Sequence, residues 1–147
     1  MKRALLILLI VVTGVFAGNY RTMKVKRSNI VRVYDGDTFF INIKRVPAVF
    51  GDTIGVRIFG IDTPEIRTKD TTEKRLGFEA KDSLVSLLMN AKKIKLRNVQ
   101  RDKYFRLLAE VWLNDTVSVA DRLIKMGLAK EYYGGTKTKW WKTSVNE

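Results

Sequence analysis

Apolar positions along the chain follow two periods, and the switches between them mark its elements. From Ile30 to Ile43 the run Ile-Val-Arg-Val-Tyr-Asp-Gly-Asp-Thr-Phe-Phe-Ile-Asn-Ile holds two β-rich stretches split by Asp35-Gly36, a strong tight-turn signal, and predicts a hairpin or sharply bent strand pair. Pro47 and Gly51 mark Lys44 to Thr53 as a loop, and Ile54 to Ile61 predicts a third strand. Leu76, Ala80, Leu84 and Leu88, with Val85 and Leu87 beside them, recur at helical spacing and predict a helix from Phe78 to Ala91 packed on the sheet. Lys93 to Val99 returns to alternation, a half-exposed fourth strand with a basic outer face. In the fifth strand, Arg106 to Leu113, one face carries Leu107, Ala109, Val111 and Leu113, and the other Arg106, Leu108, Glu110 and Trp112. Ser118 and Asp121 form an N-cap pair opening a second helix with Val119, Ala120, Leu123 and Ile124 inside, and Gly127 ends it. Arg67 to Lys74 is charged and aperiodic, which predicts a mobile surface loop.

Five short strands, a helix between the third and fourth and another after the fifth make an α+β, mainly β chain. The order suggests a five-stranded, closed OB-type β-barrel with two or three flanking helices. At 147 residues and 46% hydrophobic content, one domain with its own core is expected, without repeats or low-complexity tracts. Residues 1–17 read as an export signal: Lys2 and Arg3, an apolar run from Ala4, then Val15-Phe16-Ala17 with small residues for cleavage. A secreted or periplasmic protein is therefore expected; the alternative is an uncleaved membrane anchor. Residues 18–29 are a polar lead-in and 136–147 a basic, aromatic tail.

Composition then narrows the chemistry. With no cysteine there are neither disulfides nor thiolate metal sites; with no histidine, Ser-His-Asp and Cys-His catalysis and ordinary zinc hydrolase sites are excluded. Hydrolysis by this chain needs carboxylates, arginines and a hard metal. The net charge is +13, and without Lys2 and Arg3 there remain 26 basic against 15 acidic side chains. A phosphate polymer is the natural partner, although such a surface also serves solubility or attraction to anionic membranes.

The candidate chemistry centres on Val56-Arg57-Ile58-Phe59-Gly60-Ile61-Asp62-Thr63-Pro64-Glu65. Arg57 shares a strand face with Phe59 and Ile61, so its guanidinium is drawn toward the interior and needs an anionic partner. Pro64 forces Thr63 toward extended geometry and fixes its carbonyl between Asp62 and Glu65, a set suited to a hard cation. A second reading has Thr63 capping a helix that starts at Pro64. Upstream, Asp37 follows the Asp35-Gly36 turn and can face the same site, or both acids are only turn formers.

Four motifs then carry a resemblance. Val-Tyr-Asp-Gly-Asp-Thr at 33–38, Val-Arg-Ile-Phe-Gly-Ile-Asp-Thr-Pro-Glu at 56–65, Asp-Lys-Tyr-Phe-Arg-Leu-Leu-Ala at 102–109 and Gly-Leu-Ala-Lys at 127–130 resemble the staphylococcal nuclease (thermonuclease) family, in its order and with compatible spacing. The resemblance makes residues 30–135 a nuclease-like domain. It implies Asp37 and Asp62 as calcium ligands with the Thr63 carbonyl, Arg57 and Arg106 as phosphate-gripping arginines, and Glu65 as the group that activates water. Lys103, Tyr104 and Tyr133 would lie along the nucleotide pocket. It further implies cleavage of DNA and RNA, endo- and exonucleolytically, to 3′-phosphate ends. Phe105 and Leu107 stand where the family usually has glycines, which could narrow the approach to the scissile phosphate, and the family's third helix looks curtailed.

The expected function is thus an exported, Ca2+-dependent nuclease with little sequence preference, monomeric and with nucleic acid as its partner. A family member that binds nucleic acid without cutting it, and a cationic membrane-surface protein, remain the alternatives.

Overall fold

The computed structural model describes residues 22–44 and 51–141. The expected leader over residues 1–17, the first four residues of the lead-in, most of the Pro47 loop and the last six residues of the tail lie outside the described residues. Strands β1 (Thr22–Val25), β2 (Ile30–Val33), β3 (Thr38–Asn42) and β4 (Thr53–Ile58) are followed by the short β5 (Ile61–Asp62), helix α1 (Thr71–Asn90), β6 (Ile94–Arg101) and β7 (Leu107–Leu113). The chain then adds β8 (Val117–Ser118), α2 (Val119–Lys125) and β9 (Lys130–Glu131). The main sheet runs β1-β6-β7-β4-β3-β2 with β8 on β7; β5 and β9 pair separately.

The α+β, strand-rich fold with two helices agrees with the expectation from sequence, but its strand count and closure differ. Gly60 takes φ +84 and breaks the expected third strand into β4 and β5, and part of the lead-in pairs with β6 as β1. Among the described residues the sheet path does not close on itself. The first hairpin is present, β2 antiparallel to β3, while β4 lies parallel to β7 and so joins the two halves of the chain.

Helix α1 begins at Thr71, about two turns before the expected start at Phe78. Asp70 caps it, its carboxylate accepting from the amides of Thr72 and Glu73 at 3.1 Å each, so Thr71 to Lys74 is helix and not loop. With the helix starting here, Thr63-Pro64 is not a helix N-terminus. The inner stripe of α1, Glu73, Gly77, Ala80, Leu84 and Leu88, keeps helical spacing, and Ala80, Leu84 and Leu88 join Phe39, Val56, Ile58, Leu96 and Val111 of the sheet in one core. Burying each such leucine contributes roughly 2 kcal/mol. In β7 the alternation holds: Ala109, Val111 and Leu113 are buried, and Leu107 is half-buried. Ser118 caps α2 by accepting from the Asp121 amide, and Gly127 ends it at φ +71.

Two glycines bring the acid-bearing segments onto α1. A Cβ on Gly36 would sit 2.6 Å from the Ala80 Cβ and 2.9 Å from Thr63, so the Asp35–Asp37 bend requires glycine for close approach. A Cβ on Gly77 would meet the Pro64 carbonyl at 2.8 Å, so the helix is smooth there because Pro64 to Ile66 lies across it.

Candidate active site

The end of β4, the Asp35–Asp37 bend, the segment after β5, the β6–β7 connection and the chain after β9 surround one cleft of about 550 Å³. Asp37 lines its floor and Asp62 lies behind it against Arg57; they are only 5% and 2% exposed, so each needs full compensation. Asp37 has it. Thr38 Oγ1 donates to Asp37 Oδ1 at 2.9 Å, the Thr63 amide and hydroxyl donate to Oδ2 at 3.3 and 3.1 Å, and Arg57 forms an ion pair with the same oxygen.

Arg57 bridges the two acids. Its Nη2 donates to the Ile61 carbonyl at 3.0 Å and lies 3.5 Å from Asp62 Oδ1. Burial pulls its pKa below the ordinary guanidinium value while the Asp62 and Asp35 carboxylates oppose this, and arginine keeps its charge at any working pH. Asp35 is more than a turn former. It lines the cleft, accepts from the Asp37 amide at 3.1 Å, and is pushed above the usual carboxylate range by burial, with Arg57 opposing and Glu65 reinforcing.

The rim is built differently. Asp102 accepts from the Tyr104 and Arg106 amides at 2.7 and 3.0 Å and from Arg106 Nε at 2.7 Å, folding the β6–β7 connection around one carboxylate. Burial alone would raise the Asp102 pKa; these hydrogen bonds outweigh it and hold the carboxyl low. Arg106 points off the core face as its strand parity requires, its stem lying over Gly55, where a Cβ would meet Arg106 Cγ at 3.0 Å. Lys103 and Tyr104 line the same cleft. Phe105 takes φ +67, the left-handed backbone natural to glycine, and is exposed, with the Arg101 guanidinium 3.8 Å from its ring centroid. Neither Phe105 nor Leu107 lines the cleft, so the narrowing expected from them is not seen.

Glu65 stands exposed at the mouth. The buried Glu73 braces its segment, accepting from the Thr68 hydroxyl at 2.8 Å and from the Glu65 amide at 3.5 Å. The structure brings Asp37, Arg57, Thr63, Glu65, Lys103, Tyr104 and Arg106 to one cleft, with Asp62 behind its floor against Arg57. It does not bring Tyr133 there. Strand β9 pairs with β5, Asp62 opposite Lys130, so side chains alternate: Tyr132 lines the cleft, whereas Tyr133 packs edge-on against Phe59 at 5.6 Å and lines another pocket with Glu131.

Sequence reasoning also missed Lys137. After Tyr132, whose amide donates to the Gly60 carbonyl, the chain turns through Gly134 and Gly135 at positive φ, and the Tyr132 hydroxyl donates to the Gly135 carbonyl at 2.8 Å. This returns Lys137 across the mouth, its Nζ 2.8 Å from Asp62 Oδ1 and 2.9 Å from Glu65 Oε1. Partial burial works against the ammonium, but the hydrogen bonds to Asp62 and Glu65 prevail and raise its pKa. No sequence motif announces a lysine six residues beyond the end of β9.

Asp37, Asp62 and the Thr63 segment offer only hard oxygen donors, and the floor already attracts two side-chain cations, Arg57 and Lys137. Among the described residues no cluster of three or more acids, histidines or cysteines has metal-binding spacing. A hard dication with waters filling most of its shell fits such a sparse oxygen set; a soft or tetrahedral metal does not.

Comparison with known proteins agrees with this arrangement. Residues 55–144 match the family model described as staphylococcal nuclease homologue. A thermonuclease of Staphylococcus hyicus is 33% identical over 118 residues, 80% of this chain and 63% of that protein. A thermonuclease of Staphylococcus intermedius is 34% identical over 102 residues, covering 69% and 56%. A protein named an uncharacterized endonuclease in Escherichia coli O157:H7 is 29% identical over 103 residues, covering 70% and 59%. The chain spans about three fifths of the length of the curated relatives it matches. With the family model matching more than half the chain and three of the four motifs lining one cleft, the chain belongs to the staphylococcal nuclease homologue family.

Proposed function

We propose that this chain is a calcium-dependent nuclease that hydrolyses phosphodiester bonds of DNA, RNA or both with little sequence preference. One observation carries the reading: two arginines and Glu65 line a single cleft, and one of those arginines is held against the buried carboxylates of Asp37 and Asp62. The names of the thermonuclease and endonuclease relatives support it.

Cleavage forms a bond from a water oxygen to phosphorus and breaks the bond to the 5′ oxygen, leaving a 3′-phosphate. Negative charge builds on the equatorial and leaving oxygens, and the Arg57 and Arg106 forks match that geometry. Glu65 takes the proton of the attacking water, for which Lys137 must turn away from Oε1, and the leaving 5′ oxygen collects a proton from solvent. Tyr104, Lys103 and Tyr132 hold the neighbouring nucleotide at the rim. Asp37, Asp62 and the Thr63 carbonyl would hold Ca2+, which when bound supplies Lewis-acid neutralisation of phosphate charge. No histidine is needed. The leader over residues 1–17 supports delivery outside the cytoplasm.

The test is plasmid DNA incubated with the protein in calcium and in excess chelator. Calcium-supported degradation that chelation abolishes is expected. Undiminished degradation in chelator would refute the metal assignment, and binding without cleavage under both conditions would identify a non-catalytic binding module.

A further inference from the structure

Away from the cleft, the edge strand β1 and the start of β6 enclose a groove of about 320 Å³ whose charged lining is Lys24, Lys26, Arg27, Lys92, Lys93 and Lys95, with no acid among its lining residues. It shares no residue with the cleft. The antiparallel register sets Lys24 directly opposite Lys95, and like charges in that position oppose strand pairing. Among the described residues Asp115 alone answers them from outside the groove, 3.3 Å from Lys93 and 2.5 Å from Lys95. No acid among the described residues pairs with Lys24, Lys26 or Lys92. An edge strand can be kept unpaired by fewer charges than these, and their cost to the sheet points to a polyanion that offsets it.

The groove connects to the cleft along one sheet face. Lys95, Arg97 and Gln100 on β6 lie opposite Trp112, Glu110 and Leu108 on β7, and Leu108 lines the cleft. Glu110, the acid on this path, is engaged by Asn98 and Trp112. From Lys95 to Gln100, whose partners Trp112 and Leu108 are four residues apart across a bulge, the path advances about 13 Å at ~3.3 Å per residue. That is roughly four phosphate steps at ~3.4 Å along one strand of nucleic acid.

We propose that this groove is a second phosphate-backbone site, which holds a nucleic acid chain several nucleotides from the bond being cut and makes binding depend on substrate length. The inference rests on the nuclease reading above. A substrate too short to leave the cleft never reaches Lys24, Lys26 and Lys92; a long one must.

The experiment compares wild type with a Lys24→Gln, Lys26→Gln, Lys92→Gln triple variant and with a charge-matched control, Lys74→Gln, Lys81→Gln, Lys125→Gln. Affinity for a duplex of about 24 base pairs is measured in chelator across a salt series, and cleavage of a tetranucleotide in calcium. The groove variant is expected to bind the duplex at least about tenfold more weakly, with a log–log salt slope shallower by about 3, and to cut the tetranucleotide at the wild-type rate. Its thermal unfolding should lie at or above that of wild type, since all three lysines are exposed and Lys24→Gln removes the like charge opposite Lys95. Equal losses in the control would show that net charge alone sets affinity and would overturn the site. So would unchanged duplex affinity together with lost binding to phosphatidylserine vesicles, which would make the groove a membrane contact. If wild type cuts neither DNA, the nuclease reading falls and takes the inference with it; if wild type cuts both and the groove variant binds the duplex normally, only the inference falls.

Discussion

On the floor of the cleft, Asp37 receives four donors from Thr38, Thr63 and Arg57, all anchored on strands or on backbone packed against α1. On the rim, Arg106 hangs on the single carboxylate of Asp102, and Glu65 on the half-exposed ammonium of Lys137. The difference follows from burial. A carboxylate 2–5% exposed must have every lone pair answered, so the floor is rigid and each partner matters to folding. A rim residue in contact with water can release its partner at little cost, so it can exchange that partner for substrate. Floor changes should therefore lose stability and activity together, and rim changes activity alone.

The largest effect expected is at Arg57. Arg57→Leu leaves Asp37 and Asp62 without their shared cation and should cost about 3 kcal/mol in urea unfolding. It should also slow cleavage by about 100-fold or more, as expected for loss of a donor to transition-state charge. A variant as stable as wild type would show that the floor is not held by this pair.

Arg106→Lys probes the rim. Lysine keeps the charge and loses the planar fork, so kcat should fall at least about tenfold with the unfolding midpoint almost unmoved. Unchanged kcat would remove Arg106 from the chemistry and favour the binding-module reading. The smallest effect is at Lys137, which contacts Asp62, a ligand of the proposed calcium site. Lys137→Met should tighten calcium binding, measured by calorimetry, by about fivefold, the equivalent of a half-exposed ion pair near 1 kcal/mol. An unchanged Kd would mean that the ammonium and the ion do not compete.

Floor and rim also differ in how far the chain alone reveals them. Asp37, Arg57 and Asp62 stand beside strong strand and turn patterns, so alternation and the demand of a buried charge pointed to a site at the end of the third strand, and the resemblance of the ordered motifs joined Asp37 to it. The two-residue period in Leu107 to Leu113 likewise placed Arg106 off the core. The start of α1 was hidden because its first turn carries only one inward residue, Glu73, and a buried glutamate braced by Thr68 looks like any surface charge in sequence. Tyr132 and Tyr133 are adjacent, and only the pairing of β9 with β5 decides which faces the cleft. Lys137 depends on a turn through two glycines that no periodicity encodes.

Glu65 tests the central claim most directly, since it sits on the rim, touches no floor group, and is assigned the proton of the attacking water. Single-turnover cleavage of duplex DNA by Glu65→Gln in calcium, with DNA affinity measured in chelator, separates chemistry from binding. The rate should fall about 100-fold or more while affinity and unfolding midpoint stay at wild-type values. Cleavage at the wild-type rate, or a loss of affinity that accounts for the whole loss of rate, would contradict the account.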